Sequence, residues 1–364
     1  MTMNLDAHGG NIYKEARNTG RDRRELLDYS ANINPLGIPK TLKEILLSSM
    51  DELINYPDPD CTDLKLAISE YLNVEADRII IGNGASEIIF LLMEVLKPWK
   101  IIIPAPTFSE YAKAAEISGA HVKYFEMSEK DEFRLDMEKL IDRLDNTIDA
   151  VMLCNPNNPT SRLVPIEELL RLVKHAQAVG TTVIVDEAFI ELTEEGNSNS
   201  LVSVLDKYRN LFLIRAFTKY FAVPGLRLGF GLGDEKLIKK MLERKLPWSV
   251  NSFACNMGVV LSDKEYITKT ACWLKEEKNR FYNELTGYKA FKVFRPDTNF
   301  ILAKIIDERF NATTLKQKML DKGILIRNAG NFAFLNDQFV RFAIKDRQSN
   351  DKFITILDEI LLKD

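Results

Sequence analysis

Lys219 stands in Thr218-Lys219, shortly before Pro224-Gly225-Leu226-Arg227-Leu228-Gly229. Upstream of it lie Asn155-Pro156-Asn157-Asn158-Pro159 and Val185-Asp186-Glu187-Ala188. An Asn-Pro-rich turn, an acid and a lysine in that order suit a site for pyridoxal phosphate. That cofactor needs a lysine amine to form a Schiff base with its aldehyde. It also needs a carboxylate to keep its pyridine nitrogen protonated, and a cationic, amide-rich pocket for its phosphate. Lys219, Asp186 and Arg227 can fill these three roles. Taken singly each is an ordinary surface residue; their order and contexts together carry the reading.

The elements that must position these groups follow from the pattern of the chain. Short apolar runs predict strands over 78–81, 101–104, 150–154, 182–185, 211–215 and 227–232. Amphipathic stretches between them predict helices over 86–96, 109–118, 165–178 and 201–208. Such alternation predicts βαβ units, hence a mainly parallel sheet with helices on both faces. Ligands in these folds sit at the carboxyl ends of strands, and Asn158, Asp186 and Lys219 fall at or just past predicted strand ends. From about residue 251 the texture changes. A long helix (264–285), strands at 290–293, 299–303, 325–327 and 339–344, a helix near 314–322 and a last helix from 349 read as an α+β lobe. We therefore expect a large cofactor-binding domain over 46–250. Residues 1–45, with an N-terminal arm, and 251–364 form a smaller domain, and the site faces the cleft between the two.

Ile81-Gly82-Asn83-Gly84-Ala85-Ser86-Glu87 follows one strand and opens one helix. Small residues there let backbone amides approach an anion at a helix N-terminus. No GxxxxGK[ST] is present, so this is not a Walker loop. Phe108, after the next strand, is placed to stack on a cofactor ring.

Composition excludes other classes. The 364 residues are 46% hydrophobic and 28% charged, with a net charge of -4. That balance gives no electrostatic case for nucleic acid or anionic membrane. No apolar run is long enough to span a bilayer, and the N-terminus lacks an apolar signal core, so a cytosolic protein is expected. Cys61, Cys154, Cys255 and Cys272 are far apart in sequence and read as reduced, mostly buried thiols. His8, His121 and His175 have no metal-ligand spacing.

These motifs resemble those of fold-type I pyridoxal phosphate enzymes, in the aspartate aminotransferase superfamily, over nearly the whole chain. Within it the chain is similar to the histidinol-phosphate aminotransferase branch, and most of all to the threonine-phosphate decarboxylases of cobalamin biosynthesis. His8-Gly9-Gly10-Asn11, the run from Asp28 to Gly37 and Arg341-Phe342-Ala343-Ile344-Lys345 carry the second likeness. The resemblance implies that Lys219 carries the Schiff base, Asp186 pairs with the ring nitrogen and Asn158 bonds the ring O3′. It assigns the cofactor phosphate to Gly84, Ala85, Ser86 and Arg227, with Thr218 beside the lysine and Phe108 on the ring face. Tyr56, in Asn55-Tyr56-Pro57, would reach the cofactor of a neighbouring subunit, which implies a homodimer with shared sites. His8, Asn32, Arg327 and Arg341 would hold the phosphate and carboxylate of a phosphorylated amino acid.

The sequence departs from the general aminotransferase pattern in several places. Phe189 stands where a tyrosine commonly donates to O3′, which leaves Asn158 as the neutral partner and leans toward the decarboxylases. Ala216 replaces a phosphate-binding Ser or Thr. Ser161 replaces a Gly, and Arg162 beside it could add charge at the substrate end. The bond that breaks is the one held perpendicular to the ring. Whether the arginines turn the carboxylate or the α-hydrogen to that position is a matter of geometry, so decarboxylation and transamination both stay open in the residues themselves.

Overall fold

Five runs rich in Ile, Val and Leu set the centre of the molecule. In the computed structural model, which describes residues 8–363, thirteen strands form three sheets. The seven-stranded sheet contains β2 (Ile79–Gly82), β3 (Lys100–Ala105), β4 (His121–Glu126), β5 (Ala150–Cys154), β6 (Thr182–Asp186), β7 (Leu211–Ala216) and β8 (Gly229–Leu232). Their order is β2-β8-β7-β6-β5-β3-β4. β4, β3, β5, β6 and β7 are parallel neighbours, and β8 runs antiparallel between β7 and β2. The chain is therefore an α/β protein with a mainly parallel large sheet, as the alternation predicts.

Both faces of this sheet are covered, which is why its strands read as unbroken apolar runs. Successive side chains point to opposite faces. Ile80, Ile101, Ile103, Met152, Ile184 and Phe212 enter one core with the helices Gly84–Leu96 and Glu110–Ile117. Ile79, Ile81, Ile102, Val151, Val183 and Leu213 enter the other, with Leu169, Leu172 and Val173 of the helix Ile166–Val179. Each such side chain contributes about 1.5–3 kcal/mol relative to exposure.

A second sheet of β9 (Phe291–Val293), β10 (Phe300–Ile305), β12 (Arg327–Asn328) and β13 (Phe339–Ala343) is antiparallel, in the order β12-β13-β10-β9. The long helix Lys264–Thr286 and the last helix Arg347–Lys363 accompany it. β1 (Leu27–Asp28) pairs in parallel with β11 (Ile324–Leu325), tying the first part of the chain to the last.

Four expectations need correction. Strand β4 was missed because it is the exposed edge of the sheet, and its His-Val-Lys-Tyr-Phe-Glu sequence lacks an apolar run. The helix expected over 201–208 is a 3₁₀ segment, Leu201–Lys207, capped by the Ser200 side chain. The strand expected over 325–327 is divided at Ile326, with one half pairing with β1 and the other with β13. Cys61 and Cys255 are distant in sequence, yet their sulfurs lie 3.3 Å apart. Of the four free cysteines only Cys61 is fully buried, and Cys272 is exposed. Among the described residues no helix is long and apolar enough to cross a membrane.

Candidate active site

The register of the large sheet aligns the ends that matter. Cys154 is paired with Asp186, Asp186 with Ile214, and Gly229 with both Ala216 and Gly82. Asn158, Asp186, Lys219 and the helix that starts at Gly84 consequently meet along one edge. They border a cavity of about 430 Å³. Ala85, Ser86, Phe108, Thr218, Arg227, His8, Asn32, Arg327 and Arg341 also line it. Residues expected from well-separated stretches of sequence thus come together.

Asp186 is buried at the end of β6. Its Oδ2 accepts a hydrogen bond from the Tyr111 hydroxyl at 2.7 Å, and its Oδ1 accepts one from the Ala188 amide at 2.9 Å. Burial pushes its carboxyl up to about 6, against the opposing pull of these two bonds. A cationic partner at the ring nitrogen would offset that desolvation. The adjacent Glu187 anchors the strand end from the other side. It accepts from Arg215 Nη1 at 2.9 Å, Ser200 Oγ at 2.6 Å and the Leu201 amide at 3.0 Å.

Lys219 lies in the short helix Phe217–Tyr220 after β7. Burial, with the charges of Arg341 and Arg227 nearby, lowers its amine to about 8. A lowered amine is more often neutral near pH 8, and the neutral form is the nucleophile. The carbonyl of Lys219 accepts from the Asn34 amide at 3.1 Å, so the N-terminal segment is fastened to the lysine turn.

Two features of the segment around Gly84 suit an anion. The helix Gly84–Leu96 has no side-chain cap at Asn83, so its first amides are left for another acceptor. Gly84 has φ +81°, and a Cβ there would stand 2.6 Å from Arg227 Nη2. Arg227 itself has φ +55°, which keeps it out of β8 and explains why the strand starts at Gly229 rather than at 227. Glycine, uncapped amides and a guanidinium around one point fit the phosphate of pyridoxal phosphate.

Arg327 and Arg341, which also line the cavity, are directly opposed across β12 and β13, and both are buried. Arg341 donates from Nη1 to Asn158 Oδ1 and from Nη2 to the Ser30 carbonyl at 2.6 Å. Its Nε is buried without a hydrogen-bond partner, as is Asn32 Oδ1. Burial and Arg327 lower the Arg341 guanidinium to about 9. Arg327 donates to Asn331 Oδ1 at 2.6 Å and lies over the Phe332 ring. Like charges directly opposed across strands are costly, and an anionic ligand would offset that cost. His8 Nε2 reaches Glu110 Oε1 at 3.1 Å at the rim.

Not every expectation falls in the cavity. Tyr56 is 82% exposed and rests against Trp248 on the surface, with ring centroids 5.0 Å apart. Arg162 adds no charge at the substrate end: it is buried and engaged by Glu132, through the backbone oxygen and the carboxylate. Ser161 is buried and accepts from the Thr298 amide at 3.1 Å. Phe189 packs edge-on against Phe300, and Ala216 presents only a methyl to the cavity. Sequence reasoning missed Tyr111 and the Ser30 carbonyl. Tyr111 follows Phe108 by three residues at a helix start, a spacing that puts two side chains on one face.

The family described as aminotransferase class I and II matches residues 24–357. The chain is 34% identical to the threonine-phosphate decarboxylase of Salmonella typhimurium, over 99% of this chain and 98% of that one. It is 39% identical to a Caldanaerobacter subterraneus protein provisionally described by the same name, over 94% and 90%. Among solved structures, one titled histidinol-phosphate aminotransferase from Clostridium acetobutylicum superposes with a TM-score of 0.86. It is 38% identical, covering 92% of this chain and 99% of that one.

Proposed function

The chain belongs to the class I and II aminotransferase family, and on that premise we propose that it is a pyridoxal-phosphate-dependent L-threonine O-3-phosphate decarboxylase. The products are CO₂ and (R)-1-aminopropan-2-ol O-2-phosphate, and the reaction serves cobalamin biosynthesis in the cytosol. The observation that carries the reading is the opposed pair Arg327 and Arg341, which lines the same cavity as Ala85, Ser86 and Arg227. A second anion site there suits a substrate with both phosphate and carboxylate. The near full-length likeness to threonine-phosphate decarboxylases supports the choice of reaction.

The cofactor supplies an electron-accepting ring joined to the substrate nitrogen. Lys219 would hold the cofactor through its amine, and that amine could also carry a proton. Asp186 would keep the proton on the ring nitrogen. Asn158 has its carbonyl occupied by Arg341, which leaves its Nδ2 as the donor that would face the ring oxygen. Arg227 and the amides after Gly84 would hold the phosphate. The substrate carboxylate leaves as CO₂, and a proton replaces it on the same carbon.

Transamination is the second reading, favoured by the likeness to the Clostridium acetobutylicum protein. One assay separates them. Incubating the loaded protein with threonine phosphate, serine phosphate and histidinol phosphate should release stoichiometric CO₂ from threonine phosphate. A carbonyl product without CO₂ would establish transamination instead. Serine phosphate differs by one methyl, worth about 1–3 kcal/mol, and should be a poorer substrate. Arg341→Gln should leave cofactor absorbance in place and lower kcat/KM at least about tenfold, for a lost charge-assisted bond of about 1.5–3 kcal/mol. Unchanged kcat/KM would remove Arg341 from the substrate site.

The proposal extends to a homodimer with shared sites. Leu47, Met50, Leu53, Ile54, Tyr56 and Trp248 are exposed apolar side chains, with Tyr56 against Trp248, and they support an interface there. If Tyr56 serves the partner's site, Tyr56→Phe weakens cofactor retention. Mixing that variant with Lys219→Ala should then restore one intact site per heterodimer. A demonstrated heterodimer with no recovered activity rules out sharing.

A further inference from the structure

Tyr111 lines the same cavity and makes a side-chain hydrogen bond to Asp186. It is 1% exposed, on the helix Glu110–Ile117, and its hydroxyl donates to Asp186 Oδ2 at 2.7 Å. Its ring meets Phe108 edge-on, with centroids 5.5 Å apart. One side chain therefore touches both the residue expected on the cofactor's ring face and the acid expected at its nitrogen. A core tyrosine could satisfy its hydroxyl on any carbonyl; this one is spent on a buried carboxylate at the edge of the cavity.

Burial raises the Asp186 carboxyl most, and of the two hydrogen bonds that oppose it the one from Tyr111 is the one a side chain supplies. The Ala188 amide occupies the other carboxylate oxygen and is fixed by the backbone. Cys154, at the end of β5, has a thiol held up near 12 by burial and by Asp186, so it stays neutral. Its sulfur donates to the Pro156 carbonyl at 3.3 Å. Glu187 turns to Arg215 and Ser200. Burial also holds the Tyr111 phenol well above its ordinary range, so it remains a donor throughout.

We propose that Tyr111 is a positioning residue: its hydroxyl fixes the Asp186 carboxylate and limits its basicity, so that the proton shared with the cofactor stays on the ring nitrogen. A carboxylate without this donor is more basic and draws the proton to itself. The ring then loses the positive charge that lets it accept electrons. The inference rests on the cofactor reading above, but not on which reaction follows.

The test is Tyr111→Phe, which keeps the ring and its packing and removes only the donor. In the full chain freed of cofactor and carrying carboxyl-labelled aspartate, the Asp186 signal is identified by its loss in Asp186→Asn. Its titration midpoint should rise by about one pH unit or more in Tyr111→Phe. In the loaded protein the signal of a ¹⁵N-labelled cofactor ring should move toward the unprotonated value. The kcat should fall about tenfold or more with KM changed less than threefold. Tyr111→His, which retains a donor, should recover part of the midpoint shift. A midpoint and ring-nitrogen signal unchanged in Tyr111→Phe overturn the proposal, even where kcat falls, because that pattern is a packing defect. Failure of the wild type to release CO₂ or a carbonyl product would count against the functional reading and leave the titration result standing.

Discussion

Lys219→Ala should lose at least about a thousandfold in turnover of threonine phosphate, the upper range for removing a positioned proton carrier. It should also lose the covalent cofactor and its absorbance. Among the described residues no other lysine lines the cavity, so no substitute amine is placed to take the role. The fold should survive. The wild-type amine is lowered from 10.5 to about 8 by burial beside Arg341 and Arg227. For a base whose folded value is depressed, full stability is present above the unfolded value and is lost as pH falls through the folded one. At pH 7 the cofactor-free wild type therefore bears a buried ammonium that the alanine variant lacks. The variant should melt at least as high at pH 7, and its relative advantage should shrink as pH rises from about 8 toward 10.5. Near-native turnover would dispose of the central role of Lys219. A variant less stable than wild type at pH 7 would contradict the buried-charge argument.

Asp186→Asn should lower kcat by about a hundredfold or more, since a neutral amide cannot hold the ring-nitrogen proton. Tyr111 can still donate to the amide oxygen, so the local packing is kept. Without cofactor the sign of the stability change is the informative part. The Asp186 carboxyl is raised from 3.8 to about 6. Its contribution is fully present below about 4 and is lost as pH rises through about 6. The asparagine variant should gain on wild type across that window and hold the gain at pH 7. A kcat within a few-fold of wild type would mean that Asp186 does not hold the proton.

The sheet was legible because burial on both faces demands uninterrupted apolar strands, and 150–154 was placed to the residue. The same cause hid β4, whose edge position relieves it of that demand. At the site, Lys219, Asp186, Asn158 and Arg227 were readable because each sits beside a strand end or in a tight turn. Tyr111 was not, since its meaning lies in a bond to a residue 75 positions away. The fate of Arg162 was hidden in the same way, because Glu132 reaches it from another loop. Sequence spacing shows which side chains share a helix face or a turn. It does not show which distant partner consumes a charge before a ligand can use it.

Arg341 binds Asn158 and the Ser30 carbonyl, partners 183 and 311 positions earlier in the chain. During synthesis those partners are made first and wait for an arginine made much later. Contacts of such long range are slow to form, because a large loop must close before they yield anything. A growing chain can build the parallel sheet and its helices while the cavity still lacks one wall. The wall that Arg341 adds to the cavity thus closes only after residue 341 has been made, later than the sheet it faces.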